Sequence, residues 1–154
     1  MEIDKAATMI ENAKVGRGRV WTAGNGGSLA VAQHFAQDLI KTCAVDSQCL
    51  SDPSVITAYG NDEGFDRCFD GPLDHLRRID DVIVIFSCSG KSRNLQGLAA
   101  RFKHKMIAIV GTDGGLLKDI AGACIHSKSH DYDVCETAFS VAADLIIRKL
   151  KGIV

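Results

Sequence analysis

Apolar residues along the chain alternate between short continuous runs and longer runs with helical spacing. The clearest short run covers 81–86, where VIVIF is continuously apolar and mostly β-branched, as expected of a strand covered on both faces. Similar short runs predict further strands at 19–23, 48–50, 106–110 and 124–126. The longer runs predict helices at 2–15, 28–42, after Pro53, 66–78, 92–103, 116–121 and 133–151.

Two of these helices have well-marked features. The helix at 28–42 begins with Ser28, which is predicted to be its N-cap, and it has apolar residues at Leu29, Ala32, Phe35, Ala36, Leu39 and Ile40. The helix at 133–151 has one broad apolar face, formed by Phe139, Ala142, Ala143, Ile146, Ile147 and Leu150. Both faces are wide enough to pack on a sheet.

Strict alternation of strands and helices predicts an α/β fold with a doubly wound parallel sheet. Helices should cover both faces of that sheet, and ligands should bind at the carboxyl ends of its strands. The sequence has no internal repeat, low-complexity tract or linker-like stretch, so a single domain over 1–154 is predicted.

Composition and charge narrow the class of partner. The formal net charge is −1, so no basic excess favours nucleic acid, and no apolar run approaches the roughly 20 residues that span a bilayer. The N-terminal segment has no apolar signal region, which predicts a cytoplasmic protein. The six cysteines lack metal-finger spacing, so free thiols are expected, with Cys88 placed to line a pocket.

Two turns rich in glycine and serine each follow a predicted strand and precede a predicted helix. The first is GNGGS at 24–28, and the second is SCSGKS at 87–92. Amides at a helix start have no intrahelical partner and carry the positive end of the helix dipole, so both turns are candidate phosphate sites. Hydroxyl groups of Ser28, Ser87, Ser89 and Ser92 add donors, and Lys91 adds a positive charge. The alternative is that glycine only relieves tight corners between strand and helix.

Neither turn matches a nucleotide motif. A P-loop needs a glycine where this chain has Ile85, and a dinucleotide fingerprint needs a glycine where it has Leu29. A nucleotide ligand is therefore disfavoured.

A second group of polar residues falls on two helices. His34 and Asp38 are four residues apart and share one helix face, while Asp133, Glu136 and Asp144 lie on the last helix. A histidine with carboxylates on facing helices can bind a divalent metal or move protons beside a sugar carbonyl. The alternative is that His34 packs on the core and the acids face solvent.

Four motifs in this order, GNGGS, HFAQDL at 34–39, YGNDEGFD at 59–66 and SCSGKS, resemble the sugar isomerase (SIS) domain family. The resemblance is closest to its phosphoheptose isomerase branch. It implies a flavodoxin-like three-layer αβα sandwich that binds a phosphorylated sugar. It also implies a homodimer or homotetramer with sites built across subunit contacts.

The resemblance also assigns roles to residues. It places His34 on a metal ligand, Asp38 on a residue that is both ligand and catalytic base, and Asp144 on a ligand that also carries a proton. It places Glu136 on a residue that binds metal and lies at the substrate, with Zn²⁺ as the cofactor. Substrate contacts are implied for Asn25, Gly26, Gly27, Ser28, Asp62, Ser87, Cys88, Ser89, Lys91, Ser92, Asp133 and Glu136.

This chain departs from the branch at several of these positions. Asp144 stands where the branch has a histidine, and Glu136 stands where it has a glutamine. Cys88 and Lys91 replace a threonine and an asparagine. A carboxylate at Asp144 is a poorer acid at neutral pH than a histidine.

The expected function is aldose–ketose isomerisation of a sugar phosphate through a metal-assisted enediolate. The first candidate reaction converts sedoheptulose 7-phosphate to D-glycero-D-manno-heptose 7-phosphate. One alternative is a non-catalytic phosphosugar-binding protein with a regulatory or partner-binding role, and another is an isomerase for a different phosphosugar.

Overall fold

Five parallel strands form the central sheet of the computed structural model, which describes residues 1–153. The strands are β1 (Val20–Ala23), β2 (Ser47–Cys49), β3 (Val82–Ser87), β4 (Met106–Val110) and β5 (Ala123–His126). Their order across the sheet is β2-β1-β3-β4-β5, and all neighbouring pairs are parallel. This is the flavodoxin-like order, so the predicted α/β doubly wound fold is confirmed.

The described residues also form seven α-helices and two 3-10 turns, with one helix before the first strand and one after the last. The helices are α1 (Glu2–Val15), α2 (Gly27–Cys43), α3 (Pro53–Asp62), α4 (Leu73–Leu76), α5 (Arg93–Phe102), α6 (Gly115–Ile120) and α7 (Tyr132–Leu150). The 3-10 turns cover Phe65–Arg67 and Lys103–Lys105. Among the described residues, no helix combines the length and the apolar character needed to cross a membrane.

The core is divided into two halves by the sheet. Val82, Val84 and Phe86 of β3 pack on one side with α1, α2 and α7, while Ile83 and Ile85 pack on the other side with α4, α5 and α6. This alternation follows from the two-residue period of a strand, and it makes the fold a three-layer αβα sandwich.

Three aromatic rings join β3 to its two covering helices. The ring centroids of Phe35 on α2 and Phe86 on β3 are 5.9 Å apart, and those of Phe86 and Phe139 on α7 are 6.2 Å apart. These distances lie in the favourable range for aromatic pairs. They fix α2 and α7 side by side over the sheet.

The helix predicted at 66–78 is wrong. The segment forms a 3-10 turn, an irregular bend and the short helix α4. A continuous helix would place Pro72 in its interior, where proline removes a hydrogen bond and clashes with the preceding turn. Arg67 instead holds the bend through ion pairs of 2.6 Å to Asp70 and to Asp74.

The predicted N-cap of α2 is also wrong. Ser28 lies inside the helix, and the N-cap is Gly26, which has a φ of 56°. A positive φ is readily adopted by glycine, which explains why this residue makes the turn.

Asp81 links the amino ends of the neighbouring strands β1 and β3. It is fully buried, and its carboxylate accepts hydrogen bonds from the backbone N–H of Arg19 (2.7 Å), the Nε1–H of Trp21 (2.7 Å) and the backbone N–H of Arg78 (2.8 Å). Removing this acceptor leaves these donors without their partner, which costs free energy for each buried group.

We expect Asp81→Ala to lower the free energy of unfolding by about 3 kcal/mol, because donors lose a charged acceptor. Urea titration followed by circular dichroism measures this. The matched control is Asp80→Ala at the exposed neighbouring position, which should change the same quantity by less than about 0.5 kcal/mol. Equal losses for the two variants would contradict the role of Asp81.

Candidate active site

A cavity of about 320 Å³ opens at the carboxyl ends of β1 and β3, where the order of strands along the chain reverses. We call it the switch-point cavity. This is the place where open parallel sheets bind ligands. It is lined by Asn25, Gly26, Gly27, Ser28, Phe86, Ser87, Cys88, Ser89, Ser92, Leu95, Tyr132 and Glu136.

The first glycine turn gives the cavity the N-terminus of α2. Gly26 provides no side-chain cap for this helix. In contrast, Asp52 and Asp131 cap α3 and α7 with their carboxylates. The first amides of α2 are therefore available to an acceptor in the cavity.

The second turn gives the cavity the N-terminus of α5. Two serine side chains of this turn are held by hydrogen bonds from backbone amides of the same turn. The Ser87 hydroxyl accepts from Gly90 N–H at 3.0 Å, and the Ser89 hydroxyl accepts from Lys91 N–H at 3.2 Å. Ser92 is the N-cap of α5 and makes no side-chain capping bond. Since an accepting hydroxyl still has its own hydrogen, these groups can donate to phosphate oxygens.

Asn94 connects the two turns and was not foreseen from the sequence. It is 2% exposed. Its amide donates to Asn25 Oδ1 at 2.8 Å, and the Asn25 amide donates to Asn94 Oδ1 at 3.1 Å. The sequence holds one indication of this pair: Asn25 lies in the first turn, and another asparagine, Asn94, lies two residues beyond the SCSGKS turn. Tyr132, Phe86 and Leu95 also line the cavity without having been predicted.

Cys88 lines the cavity as a neutral thiol. It is 4% exposed, and burial raises the pKa of its thiol to about 11. Its Sγ lies 3.9 Å from the Ser28 hydroxyl. The thiolate is the nucleophilic form of cysteine, so this environment disfavours nucleophilic chemistry at Cys88.

Three of the predicted contact residues do not line the switch-point cavity of the single chain. Lys91 is exposed and pairs with Asp113 at 2.8 Å. Asp62 is exposed at the end of α3, and Asp133 borders a shallow depression at the start of α7. Their contacts with substrate stay predictions.

A second cavity of about 220 Å³ lies between α2 and α7, and we call it the helix-seam cavity. It brings together the predicted residues His34, Asp38 and Asp144, with His34 Nε2 at 3.4 Å from Asp38 Oδ2. Val31, Phe35, Ser140 and Ala143 complete its lining.

Glu136 is separated from these three residues. It lies in the switch-point cavity, where the Ser28 hydroxyl donates to its Oε1 at 3.5 Å. Because Glu136 and Asp144 are eight residues apart on α7, they are separated by about 12 Å along the helix axis. The predicted metal ligands are thus divided between two cavities, and both cavities are lined by residues of α2 and α7.

The arrangement of one chain does not fit a bound metal ion. Within residues 1–153, no three His, Cys, Asp or Glu side chains are grouped so that they could hold one. The predicted ligand set of His34, Asp38, Glu136 and Asp144 spans both cavities. Zinc binding therefore stays a prediction, and no chemical step is derived through it.

We expect Cys88 to resist alkylation at pH 8, because with a pKa of about 11 only about one thiol in a thousand is ionised there. Since the pKa is raised, the rate of reaction with iodoacetamide should increase as pH rises towards 11. Mass spectrometry of labelled peptides measures this, with the half-buried Cys43 as the internal comparison. Labelling of Cys88 at pH 8 as fast as Cys43 would contradict the assignment.

Comparisons with known proteins agree with this geometry. The family model described as "SIS domain" matches residues 1–112. The phosphoheptose isomerase of Citrifermentans bemidjiense is 32% identical, over 96% of this chain and 84% of that protein. The structure of phosphoheptose isomerase GmhA from Neisseria gonorrhoeae superposes with a TM-score of 0.89 at 28% identity, over 97% of this chain and 85% of that one. A phosphoheptose isomerase from Francisella tularensis superposes with a TM-score of 0.88 at 25% identity, over 98% of this chain and 85% of that one. This chain therefore belongs to the SIS domain family, within which it is similar to the phosphoheptose isomerases.

Proposed function

We propose that this protein is a phosphosugar isomerase that interconverts the aldose and ketose forms of a sugar phosphate. The first candidate substrate is sedoheptulose 7-phosphate. The observation that carries the proposal is the switch-point cavity, where two uncapped helix starts and several serine hydroxyls converge. Such a set of donors suits a phosphate group, and the relatives named phosphoheptose isomerase support the choice of sugar.

The helix-seam cavity supplies candidate groups for proton transfer. Isomerisation of an aldose to a ketose moves a proton between two neighbouring carbons, which needs a base beside the carbonyl end of the sugar. Asp38 is half-buried there, and His34 lies at 3.4 Å from it. We assign Asp38 as the base that removes the proton, and Asp144 or a water molecule as the group that returns it.

We expect Asp38→Asn to lower kcat about a thousandfold, because an amide cannot accept the proton. The dissociation constant for sedoheptulose 7-phosphate should change by less than about threefold, since the phosphate donors lie in the other cavity. Turnover is followed by NMR detection of the aldose product, and binding is followed by calorimetry. The control Asp119→Asn removes an exposed carboxylate on α6. Retained turnover in Asp38→Asn would remove Asp38 as the base.

Binding of a phosphosugar without turnover is the second candidate function. It is favoured by the exposed position of Asp144 and by the separation of Glu136 from His34 and Asp38. Wild-type protein with added zinc distinguishes the two candidates. Calorimetric binding of sedoheptulose 7-phosphate without conversion would favour the binding protein.

The assembly and the metal belong to the same proposal. Val134, Val141 and Leu145 form an exposed apolar stripe along α7, which supports a homodimer or homotetramer. Light scattering measures the mass of the assembly. Zinc content by mass spectrometry tests the metal, and about one ion per chain would support zinc binding by the assembled protein.

A further inference from the structure

Thr112, two residues after the end of β4, has a backbone conformation that its residue type rarely adopts. Its φ is 39°, in the left-handed region. A β-branched residue there is an outlier, and such strain persists only where the surrounding structure fixes it. Glycine would adopt this φ freely, but it has no side chain. The reason for a threonine at this position must therefore lie in the contacts of its side chain.

The hydrogen bonds of Thr112 join three separate segments. Its hydroxyl donates to the carbonyl oxygen of Cys88 at 3.0 Å, while a second acceptor, Asp113 Oδ1, lies farther away at 3.5 Å. Its backbone N–H donates to the carbonyl oxygen of Ser129 at 2.6 Å, in the segment before α7. Its own carbonyl accepts from the Nε2–H of His126 at 2.7 Å, at the end of β5. Thr112 thus connects the second turn, at 87–92, with the segment that leads into α7.

Both connected parts of the chain line the switch-point cavity. The second turn and α7 contribute Ser87, Cys88, Ser89, Ser92, Tyr132 and Glu136 to the lining. Thr112 itself lies outside that lining, so it can act on a ligand only through the groups that it holds.

The other contacts between the second turn and the loop after β4 are made by glycines and by an exposed ion pair. A Cβ atom added to Gly90 would overlap the carbonyl oxygen of Gly114, so the two backbones are in direct contact. Lys91 and Asp113 pair at 2.8 Å, but both side chains are more than half exposed, and exposed ion pairs contribute little. The hydrogen bond of the Thr112 hydroxyl is partly buried, so it is better shielded from water than this ion pair.

We propose that Thr112 is a positioning residue for the ligand of the switch-point cavity. Its hydroxyl holds the second turn, and its backbone N–H and carbonyl hold the segment before α7. The donors on the second turn therefore keep a fixed place relative to α7. This inference rests on the proposed phosphosugar ligand. Without the hydroxyl, the second turn is mobile before the ligand binds, and ordering it weakens the observed affinity.

Thr112→Val removes the hydroxyl and keeps the branched shape. We expect the dissociation constant for sedoheptulose 7-phosphate, measured by calorimetry, to rise about tenfold, and KM to rise by a similar factor. The kcat should change by less than about threefold, because the proposed base Asp38 lies in the helix-seam cavity. Thr112→Ser keeps the hydroxyl, so both constants should stay within about threefold of the wild-type values.

Thr112→Gly separates the hydroxyl from the backbone strain. Glycine adopts a positive φ freely, so this variant should fold even where valine at the same φ does not. It lacks the hydroxyl, so its dissociation constant should also rise about tenfold. Wild-type affinity in Thr112→Gly would overturn the role of the hydroxyl. The matched control is Thr57→Val, because the Thr57 hydroxyl donates to the Pro53 carbonyl on the exposed side of α3 and should affect neither constant.

Hydrogen exchange followed by mass spectrometry tests the same contact without a ligand. Backbone amides at 87–92 should exchange about threefold faster or more in Thr112→Gly than in wild type, while Thr112→Ser should match wild type. The amides of β2, at the far edge of the sheet, are the internal reference and should exchange at the wild-type rate in all variants.

Unchanged exchange at 87–92 in Thr112→Gly would overturn the positioning role. Faster exchange with an unchanged dissociation constant, in a protein that binds sedoheptulose 7-phosphate, would also overturn it and would leave the proposed function intact. Wild-type protein that neither binds nor converts the sugar phosphate would overturn the proposed function. Faster exchange at 87–92 in Thr112→Gly would still support the contact between Thr112 and the second turn in that case.

Discussion

The order of strands in the sheet is the constraint on which the rest of the structure depends. Since β1 and β3 are neighbours and parallel, both end at the same edge of the sheet. The chain leaves them towards opposite faces, through α2 and α5, so that two helix starts converge on one opening. Without this topology, the two glycine turns would lie apart, and they would not form a shared cavity.

Charge within the opening comes from a third helix. The donors of α2 and α5 are backbone amides and hydroxyls, which carry no formal charge. Glu136 reaches the opening because the Phe35, Phe86 and Phe139 rings fix α7 beside α2. Packing of the apolar core thus decides where a carboxylate stands in a polar site, and a shift of α7 along α2 would alter the electrostatics of the cavity.

Much of the fold could be predicted from the sequence because buried parallel strands have a strong signal. The VIVIF run is apolar at every position, since both faces of β3 are covered. The helix prediction for 66–78 is wrong because the local signal there is ambiguous. The composition of the segment suits a helix, but Pro72 cannot lie inside one. The prediction of Ser28 as the N-cap is wrong because the preceding glycines can themselves make the turn, with Gly26 at positive φ.

The candidate site could be predicted only in part. The two turns are local in sequence, and the prediction that they form a cavity depended on strand order alone. The position of Glu136 is not local, because its distance from Gly27 is set by how α7 packs on α2. Asn94 was missed for the same reason, since its partner Asn25 is 69 residues away in the chain.

The amide pair of Asn25 and Asn94 has a consequence for the behaviour of the opening in different solutions. Neither side chain titrates, and two neutral amides are not weakened by mobile ions in the way that an ion pair is. The Asn25–Asn94 hydrogen bonds, which join the two helix starts, should therefore change little with pH or ionic strength. Changes in occupancy with salt would then report on the charges of the ligand and of the cavity lining, and not on a change in the shape of the opening.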